Sequence, residues 1–339
     1  MIYLDNAATT RVSDAALAAM APCFQAQYGN PSSIHRAGQA AAGVVEEARV
    51  HIARLLGARP GEIYFTSGGT EADNWAIRSA AAAGAKKGRR HIIASAFEHH
   101  AVLHTLEALE GQGFRVTLLP VHGDGRVRPD ELWAALGEDT ALVTILYANN
   151  EIGTLQPMSQ LGELCRRRGV PLHTDAVQAV GHVPVDAAAQ NLDMLSLSAH
   201  KFHGPKGVGA LYCRAGVPLS IFLEGGAQER GLRGGTENVP AIAGMAAALE
   251  EACGRMEEDA RRVSAMGEAL AEALSRIPRS HRNGGGPDSL PGIINFSFAG
   301  VEGEALVQML DQAGICASSG SACTSGSLDP SHVLLALGL

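Results

Sequence analysis

The 339-residue sequence lacks long apolar runs, CxxC cysteine pairs and an excess of basic residues. A membrane-spanning helix needs about 20 consecutive apolar residues, whereas the alanine run at 80–83 is soon closed by Gly84, Lys86 and Lys87. The first residues, MIYLDNAATTRVSD, do not show the basic start and apolar stretch of a secretory signal. We therefore predict a cytoplasmic protein that does not bind membranes.

The charge balance argues against a further class of partner. Lysine and arginine together number 27, aspartate and glutamate 35, and the formal net charge is −8 at pH 7. An acidic chain of this kind does not offer the broad basic surface that holds nucleic acid. We predict no direct nucleic-acid binding.

Six cysteines are present, and we expect most of them to be reduced, buried small side chains. Cys323 differs because it lies in CASSGSACTSGS (316–327), where serine, glycine and alanine dominate. Such a composition is typical of a small, polar, mobile segment and not of a core. Cys316 follows Gly314 and Ile315, and we predict a structural role for it at the end of a strand.

Short apolar runs alternate with helix-like stretches from about residue 61 onward. One such stretch, LGELCRRRG (161–169), ends in basic residues and glycine, as helices do. The alternation predicts an α/β fold with a mostly parallel sheet. Only a short Gly-Pro loop joins the last two runs, which predicts one antiparallel pair. The seven predicted strands are 62–67, 91–95, 115–120, 141–148, 170–174, 193–198 and 207–213.

A long helical stretch, 241–275, follows Pro240 and leads into a second, smaller α+β domain with a strand at 292–298. We predict a large domain over 15–255 and a small domain built from 1–14 and 256–339. GGGPDS (284–289) is predicted to be a loop.

Polar residues follow five of the predicted strands where each strand ends. In open α/β sheets, ligands bind at the carboxyl ends of the strands, so these residues predict a single site. They are SGGTE (67–71), EHH (98–100), NNE (149–151), DAVQ (175–178) and AHK (199–201).

SGGTEADNWAI (67–77) follows a strand and opens a helix. Gly68 and Gly69 allow a sharp turn, and the helix start offers free N–H groups beside the hydroxyl of Thr70. This combination suits a phosphate group. An ordinary glycine-rich turn with a threonine cap would have the same sequence.

Asp175 by itself reads as a helix cap. Together with Lys201, at the end of another strand, it gains a second meaning. A lysine that forms a Schiff base and a carboxylate that keeps a pyridine nitrogen protonated are the two groups that pyridoxal phosphate needs. The pair predicts that cofactor.

The motifs YLDNAATT, SGGTEADN, NNEIGT, DAVQAVG, HKFHGPKG, GGAQERGLRGGTEN and SSGSAC are spread along nearly the whole chain. Together they resemble the cysteine desulfurases of the NifS/IscS type, which are fold-type I pyridoxal phosphate enzymes of the class-V aminotransferase family. The resemblance implies a homodimer with active sites near the subunit interface. It also implies conversion of L-cysteine to L-alanine, with the sulfur passed through an enzyme persulfide to an acceptor protein.

The resemblance also assigns roles to single residues. Lys201 matches the Schiff-base lysine, and Lys206 becomes a structural residue of the Gly-Pro turn. His99 matches the histidine that stacks on the cofactor ring and takes part in proton transfer, whereas His100 has no assigned role. The remaining matches bind the cofactor: Gly69, Thr70, Ser198 and His200 at the phosphate, Thr236 at the phosphate of the partner subunit, Asp175 at the pyridine nitrogen, Gln178 at the phenolic oxygen and Asn150 at cofactor and substrate.

Cys323 matches the nucleophile that takes the sulfur from the substrate. Only a thiolate is a good nucleophile, and a mobile segment lets the same sulfur reach an acceptor outside the pocket. That acceptor would be an iron–sulfur scaffold or a thiolation protein, and DNA sulfur modification is a further route. The resemblance implies no resident metal, although Cys323 could hold a transient iron–sulfur cluster.

The sequence departs from the family at its end. Relatives continue past the helix predicted after Cys323, and the arginine that grips the substrate carboxylate lies in that continuation. No arginine follows Arg282 here, so we expect the natural protein to be longer. Arg233 lies within the GGTEN motif and is not taken as a substitute.

Three other interpretations stay open. One is another pyridoxal phosphate enzyme of the same fold, an aminotransferase or a C–S lyase. Another is a non-catalytic protein in which His99, His100, His104, His200 and His203 bind zinc, although their spacing matches no closed site. The third is a sulfur carrier without turnover.

Overall fold

A computed structural model describes residues 1–320 and 331–339. Its strands are β1 (Ile2–Tyr3), β2 (Ile63–Thr66), β3 (His91–Ser95), β4 (Arg115–Leu119), β5 (Thr140–Thr144), β6 (Leu172–Asp175), β7 (Met194–Ser198), β8 (Gly209–Cys213), β9 (Ser280–Asn283), β10 (Asn295–Phe298) and β11 (Ile315–Cys316). Its α-helices are α1 (Asp14–Met20), α2 (Pro22–Gln25), α3 (Arg36–Leu55), α4 (Gly69–Ala85), α5 (His100–Glu110), α6 (Pro129–Ala135), α7 (Met158–Arg168), α8 (Gln228–Gly231), α9 (Val239–Ser275), α10 (Gly303–Gln312) and α11 (His332–Ala336).

The seven predicted strands form one sheet in the order β2-β8-β7-β6-β5-β3-β4. The pairs among β3, β4, β5, β6 and β7 are parallel, and β8 runs antiparallel to both of its neighbours. The α/β fold class, the mostly parallel seven-stranded sheet and the antiparallel β7–β8 pair are therefore confirmed.

Both faces of this sheet are covered, which explains why its central strands are apolar runs without alternation. Helices α4 and α5 pack on one face around the fully buried Trp75. Helices α3, α6, α7 and α9 pack on the other. Burying apolar area on both faces supplies the main drive for folding.

Two segment ends differ from the predictions. The run at 141–148 is a strand only to Thr144, and Ile145 and Tyr147 continue beside β6 through bonds of their N–H groups to the carbonyls of His173 (3.1 Å) and Asp175 (2.8 Å). The strand predicted at 292–298 begins at Asn295, because Pro291 and Gly292 lie in a turn.

Helix α9 begins two residues before its predicted start and ends where expected. The side chain of Asn238 caps it by accepting from the N–H of Ala241 at 3.2 Å. Helix α7 ends where the sequence indicated, at Gly169, whose φ of 64° suits a residue without a side chain.

The chain also forms two small sheets. Strand β9 pairs antiparallel with β10, and β1 pairs parallel with β11, so the first residues lie beside a late segment. The pairing agrees with a small domain that combines 1–14 with 256–339, and the domain division itself stays a prediction. No helix within 1–320 or 331–339 is both long and apolar enough to span a membrane.

Candidate functional site

The N-terminal motif folds over Lys201. A 3-10 turn over Ala199–Lys201 follows β7 directly. From that turn the Nζ of Lys201 donates to the carbonyls of Ala7 at 2.5 Å and Ala8 at 2.9 Å. The hydroxyl of Thr10 donates to the carbonyl of His200 at 2.8 Å, which holds the two segments together.

Gln178 reaches the same point. Its Nε2 donates at 2.9 Å to the carbonyl of Ala7, which also accepts from Lys201. Two predicted cofactor contacts are thus brought to one place by a backbone carbonyl that no sequence pattern indicated. Lys206 lies exposed on the Gly-Pro turn, away from this contact.

Asp175 is the last residue of β6 and is only 8% exposed. Its Oδ1 accepts from the N–H of Val177 at 2.9 Å. Burial raises its pKa, and the nearby charges of His99 and Lys201 oppose that rise. A buried carboxyl with the Lys201 ammonium nearby is suited to binding a protonated ring nitrogen.

A glycine cradle lies where β2 passes into α4. A Cβ at Gly69 would lie 2.6 Å from Cγ2 of Val177 and 3.8 Å from Cβ of Ser198. A side chain at this position would collide with Val177, and the first N–H groups of a helix have no partner within the helix. Thr70, next along the helix, is exposed.

His200 stands beside Lys201 with Nδ1 3.1 Å from Oγ1 of Thr9. Burial, with a smaller effect from the charge of Lys201, lowers the pKa of His200 to about 4. The ring is therefore neutral at pH 7 and can contribute a hydrogen bond, not a charge.

Thr236 is exposed on the segment between α8 and α9. This segment is fixed to the start of α4 by Arg233, whose Nε donates to Glu71 at 2.8 Å. Glu71 in turn accepts from the N–H of Ser67 at 2.9 Å. Arg233 therefore has a partner of its own beside the glycine cradle.

His99 and Asn150 lie half-buried on neighbouring loops. Nδ1 of His99 accepts from the N–H of Ala101 at 3.1 Å and caps α5, so the proton of the neutral ring is on Nε2. Asn149 joins the two loops: its side chain donates to the carbonyl of Phe97 at 3.3 Å and accepts from the N–H of Glu151 at 2.9 Å.

A buried polar layer supports Asp175, and the sequence reasoning assigned it no role. His173 contacts Thr144 at 2.8 Å through Nδ1 and Ser196 at 3.0 Å through Nε2, and Nε2 lies 3.6 Å from Asp73. Burial lowers the pKa of His173 to about 3.

Burial also shifts two carboxyls in this layer. It raises the pKa of Asp73 far above its ordinary value and that of Glu98 to about 8, and the charge of Asp175 adds to both shifts. Asp175 has His99 and Lys201 nearby, so it holds negative charge most readily of the three. An acidic residue on the apolar face of α4 was the available signal for Asp73.

Cys323 lies outside the described residues, and its predicted role stays a prediction. Its described flanks lie at the site: the hydroxyl of Ser331 donates to Oε2 of Glu151 at 2.5 Å, and Ser318 donates to Asp5 at 2.6 Å. Cys316 lies in β11, where the sequence placed the end of a strand.

The predicted zinc alternative gains no support from the described part of the chain, where no group of three or more His, Cys, Asp or Glu side chains could hold a metal. His100 and His104 share one face of α5, with ring centres 5.2 Å apart. His99 caps the same helix.

The residues fit pyridoxal phosphate on three counts. Gly69 opens α4 without a side chain, and the N–H groups at a helix start are suited to a phosphate. Lys201 presents an amine, and Asp175 presents a buried carboxyl to a ring nitrogen. A ligand without an anionic group would not use the start of α4. A ligand without a carbonyl carbon would not use Lys201, and one without a basic ring atom would not use Asp175.

Comparisons with known proteins agree with this geometry. Residues 2–338 match the family "Aminotransferase class-V". The chain is 52% identical over 338 residues to "Cysteine desulfurase IscS" of Methanosarcina thermophila, covering 100% of this chain and 83% of that protein.

Solved structures give the same result. The "NIFS-LIKE PROTEIN" superposes with a TM-score of 0.94 at 40% identity, covering 99% of this chain and 89% of that one. "SspA in complex with cysteine" superposes with a TM-score of 0.88 at 36% identity, covering 100% and 95%. The chain belongs to the class-V aminotransferase family and, within it, to the cysteine desulfurases of the NifS/IscS type.

Proposed function

We propose that this chain converts L-cysteine to L-alanine and takes the sulfur onto Cys323 as a persulfide. The observation that carries the proposal is the meeting of Lys201, Gln178 and the N-terminal motif at the carbonyl of Ala7, at the edge of the sheet where Asp175 ends β6. The substrate that accompanies the solved SspA structure supports the choice of L-cysteine.

The family depends on pyridoxal phosphate. When bound, this group supplies an electron sink that weakens bonds at the α-carbon of the substrate. The chain's own residues would hold it as follows: Lys201 at its aldehyde carbon, Gly69, Thr70, Ser198 and His200 at its phosphate, Asp175 at its ring nitrogen, Gln178 at its phenolic oxygen, and Asn150 at the cofactor and the substrate.

The reacting groups of the chain then have distinct tasks. Nζ of Lys201 takes the α-proton of the substrate. With the cofactor bound, His99 would lie against its ring and could move a proton through Nε2. The Cys323 thiolate would attack the substrate sulfur: an S–S bond forms, and the substrate C–S bond breaks with its electron pair going to the β-carbon. The β-carbon takes up one proton, Lys201 returns a proton to the α-carbon, and L-alanine leaves.

The proposal includes a second copy of the chain that lends its Thr236 to the phosphate. Support comes from the exposure of Thr236 and of three large apolar side chains within one stretch of the chain, Phe24, Tyr28 and Ile34. The sulfur would pass to an acceptor protein in the cytoplasm, where thiols stay reduced.

Substitution of Cys323 tests the proposed sulfur transfer. Cys323→Ser should retain the yellow cofactor and bind L-cysteine, yet form no persulfide and release no sulfide. Cys316→Ser, on β11, is the matched control and should keep both. Intact-mass detection of one added sulfur atom, with parallel assay of alanine, measures the outcome. Desulfuration by Cys323→Ser at the wild-type rate would reject Cys323 as the nucleophile.

Substitution of Lys201 tests the proposed cofactor chemistry. Lys201→Ala should lose the Schiff-base absorbance and lower activity by roughly a thousandfold or more, while Lys206→Ala on the same turn should keep both. A pyridoxal phosphate signal that survives borohydride treatment unchanged in the wild type would contradict the assignment. Formation of pyruvate or ammonia instead of alanine would point to a C–S lyase.

A further inference from the structure

Glu151 lies beside Gly320 and Ser331. Its Oε2 accepts from the hydroxyl of Ser331 at 2.5 Å. A Cβ placed on Gly320 would lie 3.2 Å from the same oxygen and 3.5 Å from Cβ of Ser331. Gly320 and Ser331 flank residues 321–330, so the two ends of the segment that carries Cys323 meet at one carboxyl oxygen.

The position of that oxygen is well determined by its own surroundings. Glu151 is 8% exposed. Its N–H donates to Oδ1 of Asn149 at 2.9 Å, and its carbonyl accepts from Nδ2 of Asn295 at 3.1 Å. Because the backbone is bonded on both sides, the side chain has little freedom to follow Ser331 if that residue moves.

Ser331 passes the contact on to helix α11. Its hydroxyl donates to Glu151 and, as the helix cap, accepts from the N–H of Val333 at 3.1 Å. The bond to Glu151 thus turns the hydroxyl lone pairs toward the helix. A helix as short as His332–Ala336 is not stable by itself, so its order depends on such anchors.

A second hydrogen bond fixes the same helix to the loop that carries Glu98 and His99. Nε2 of His332 donates to the carbonyl of Glu98 at 2.9 Å, next to His99. Val333 is 1% exposed and packs into the main core. Helix α11 is therefore fixed next to His99 and Asn150 through their chain neighbours, Glu98 and Glu151.

The electrostatics agree with this geometry. Burial raises the pKa of Glu151 to about 7, and both the bond from Ser331 and the charge of His99 oppose the rise. Glu151 therefore lies close enough to His99 to be influenced by its charge. None of the cofactor contacts proposed above uses Glu151, so its burial needs another explanation.

We propose that Glu151 is a positioning residue, which holds Ser331 beside Gly320 and so keeps together the two residues that flank the segment carrying Cys323. The inference rests on the proposed function, because Cys323 is the nucleophile only there. Its role differs from those of Lys201 and Asp175: Glu151 acts on the sulfur-transfer step and not on cofactor binding.

The first test separates these two effects in the holoenzyme. Glu151→Ala and Ser331→Ala should each slow single-turnover persulfide formation on Cys323 by about ten- to a hundredfold, because small misplacements of reacting groups have effects of that size. Cofactor absorbance and the KM for L-cysteine should stay within about twofold of wild type. Glu151→Ala and Ser331→Ala remove the same hydrogen bond. The double variant should therefore be no slower than either single variant.

Conservative and matched variants exclude a general structural defect. Glu151→Gln keeps an oxygen that accepts from Ser331 and should restore the rate to within about threefold of wild type. Glu304→Ala, an exposed acid on α10, should change nothing. A wild-type persulfide rate in Glu151→Ala would overturn the proposal, as would a failure of Glu151→Gln to improve on it.

Hydrogen exchange of α11 gives a readout that does not depend on activity. The amides of 333–337 should exchange at least about tenfold faster in Ser331→Ala and Glu151→Ala than in wild type. Unchanged exchange would reject the anchor even if the rate fell. If wild-type enzyme forms no persulfide on Cys323, the proposed function fails, and the exchange measurement still decides whether Glu151 anchors the helix.

Discussion

At the amino ends of the parallel strands, Asp193 has a complete set of partners. It accepts from the N–H of Leu172 at 2.8 Å and from Arg214 at 2.7 Å. At the carboxyl ends, oxygens of Asp73, Glu98 and Thr174 are buried without a hydrogen bond to any residue that the structure describes. Both rims of the sheet are polar, and among residues 1–320 and 331–339 the carboxyl-end rim has buried oxygens without a partner.

Structural and functional polar groups therefore differ in whether their hydrogen bonds are complete. A buried group with all its bonds made holds strands together, and its removal affects stability. A buried group with an open acceptor and a shifted pKa is costly to keep, and such groups concentrate at functional sites. Asp193 belongs to the first kind, and the layer around Asp175 belongs to the second.

The largest expected effect on turnover comes from replacing the aspartate at the carboxyl-end rim by asparagine, with the same replacement at the amino-end rim for comparison. Asp175→Asn should lower desulfurase turnover by about a hundred- to a thousandfold, because a neutral amide cannot keep a ring nitrogen protonated. Its free energy of unfolding should not fall, since a carboxyl with a raised pKa is replaced by a neutral group. Steady-state kinetics and urea unfolding measure both.

Asp193→Asn is the matched change and should show the opposite pattern. Losing the ion pair with Arg214 should lower the free energy of unfolding by about 1–2 kcal/mol and leave turnover within about twofold. The distinction between the two rims would be wrong if Asp175→Asn lost as much stability as Asp193→Asn. It would also be wrong if Asp175→Asn kept wild-type turnover.

The pH dependence of stability should come next in size. The pKa of Glu98 is raised to about 8 in the folded chain, so the native state binds a proton more tightly than the unfolded state. Its stabilising contribution is complete below the ordinary glutamate pKa of about 4.3 and is lost as pH rises toward 8, by on the order of a few kcal/mol.

Between pH 5 and 8, the free energy of unfolding of Glu98→Gln should therefore fall less than that of wild type. The range lies between the two pKa values, about 4.3 and about 8. Urea titrations at matched pH measure the difference. Glu163→Gln, exposed on α7, should leave the slope unchanged. Equal slopes for wild type and Glu98→Gln would mean that Glu98 is ionised in the folded protein.

The smallest expected effect concerns the glycine cradle. Gly69→Ala places a Cβ 2.6 Å from Val177, so it should weaken pyridoxal phosphate binding by about tenfold and cost about 1–3 kcal/mol. Gly254→Ala, on α9 with open space around it, should instead add roughly 0.5–1 kcal/mol. Cofactor titration and thermal unfolding measure both, and tight binding by Gly69→Ala would remove the cradle from the proposal.

The long elements could be predicted from the sequence because their signals are local. Seven apolar runs marked the seven strands of the central sheet, and the Ala- and Glu-rich run after Pro240 marked α9. Strand β9, SHRN, was missed because its residues are polar. It is a strand only because β10 pairs with it, which no local pattern shows.

The site was predicted in part. Asp175 ends β6 and Lys201 lies in the turn that follows β7, so their proximity followed from the rule for parallel sheets. The carbonyl of Ala7, shared by Lys201 and Gln178, could not be predicted, since a backbone oxygen has no sequence signature. Asp73 was missed because its neighbours on α4 identify it only as a helix residue.

The order of strands and helices, the polar residues at the strand ends and the family could all be predicted from the amino-acid sequence. They depend on the spacing of apolar side chains and on motifs that lie within a few residues of one another. The charge state of each buried carboxyl and the anchor of α11 were established by the folded structure. Both depend on burial and on contacts between residues far apart in the chain, such as Glu151 with Ser331, and burial is what shifts a pKa or fixes a hydroxyl.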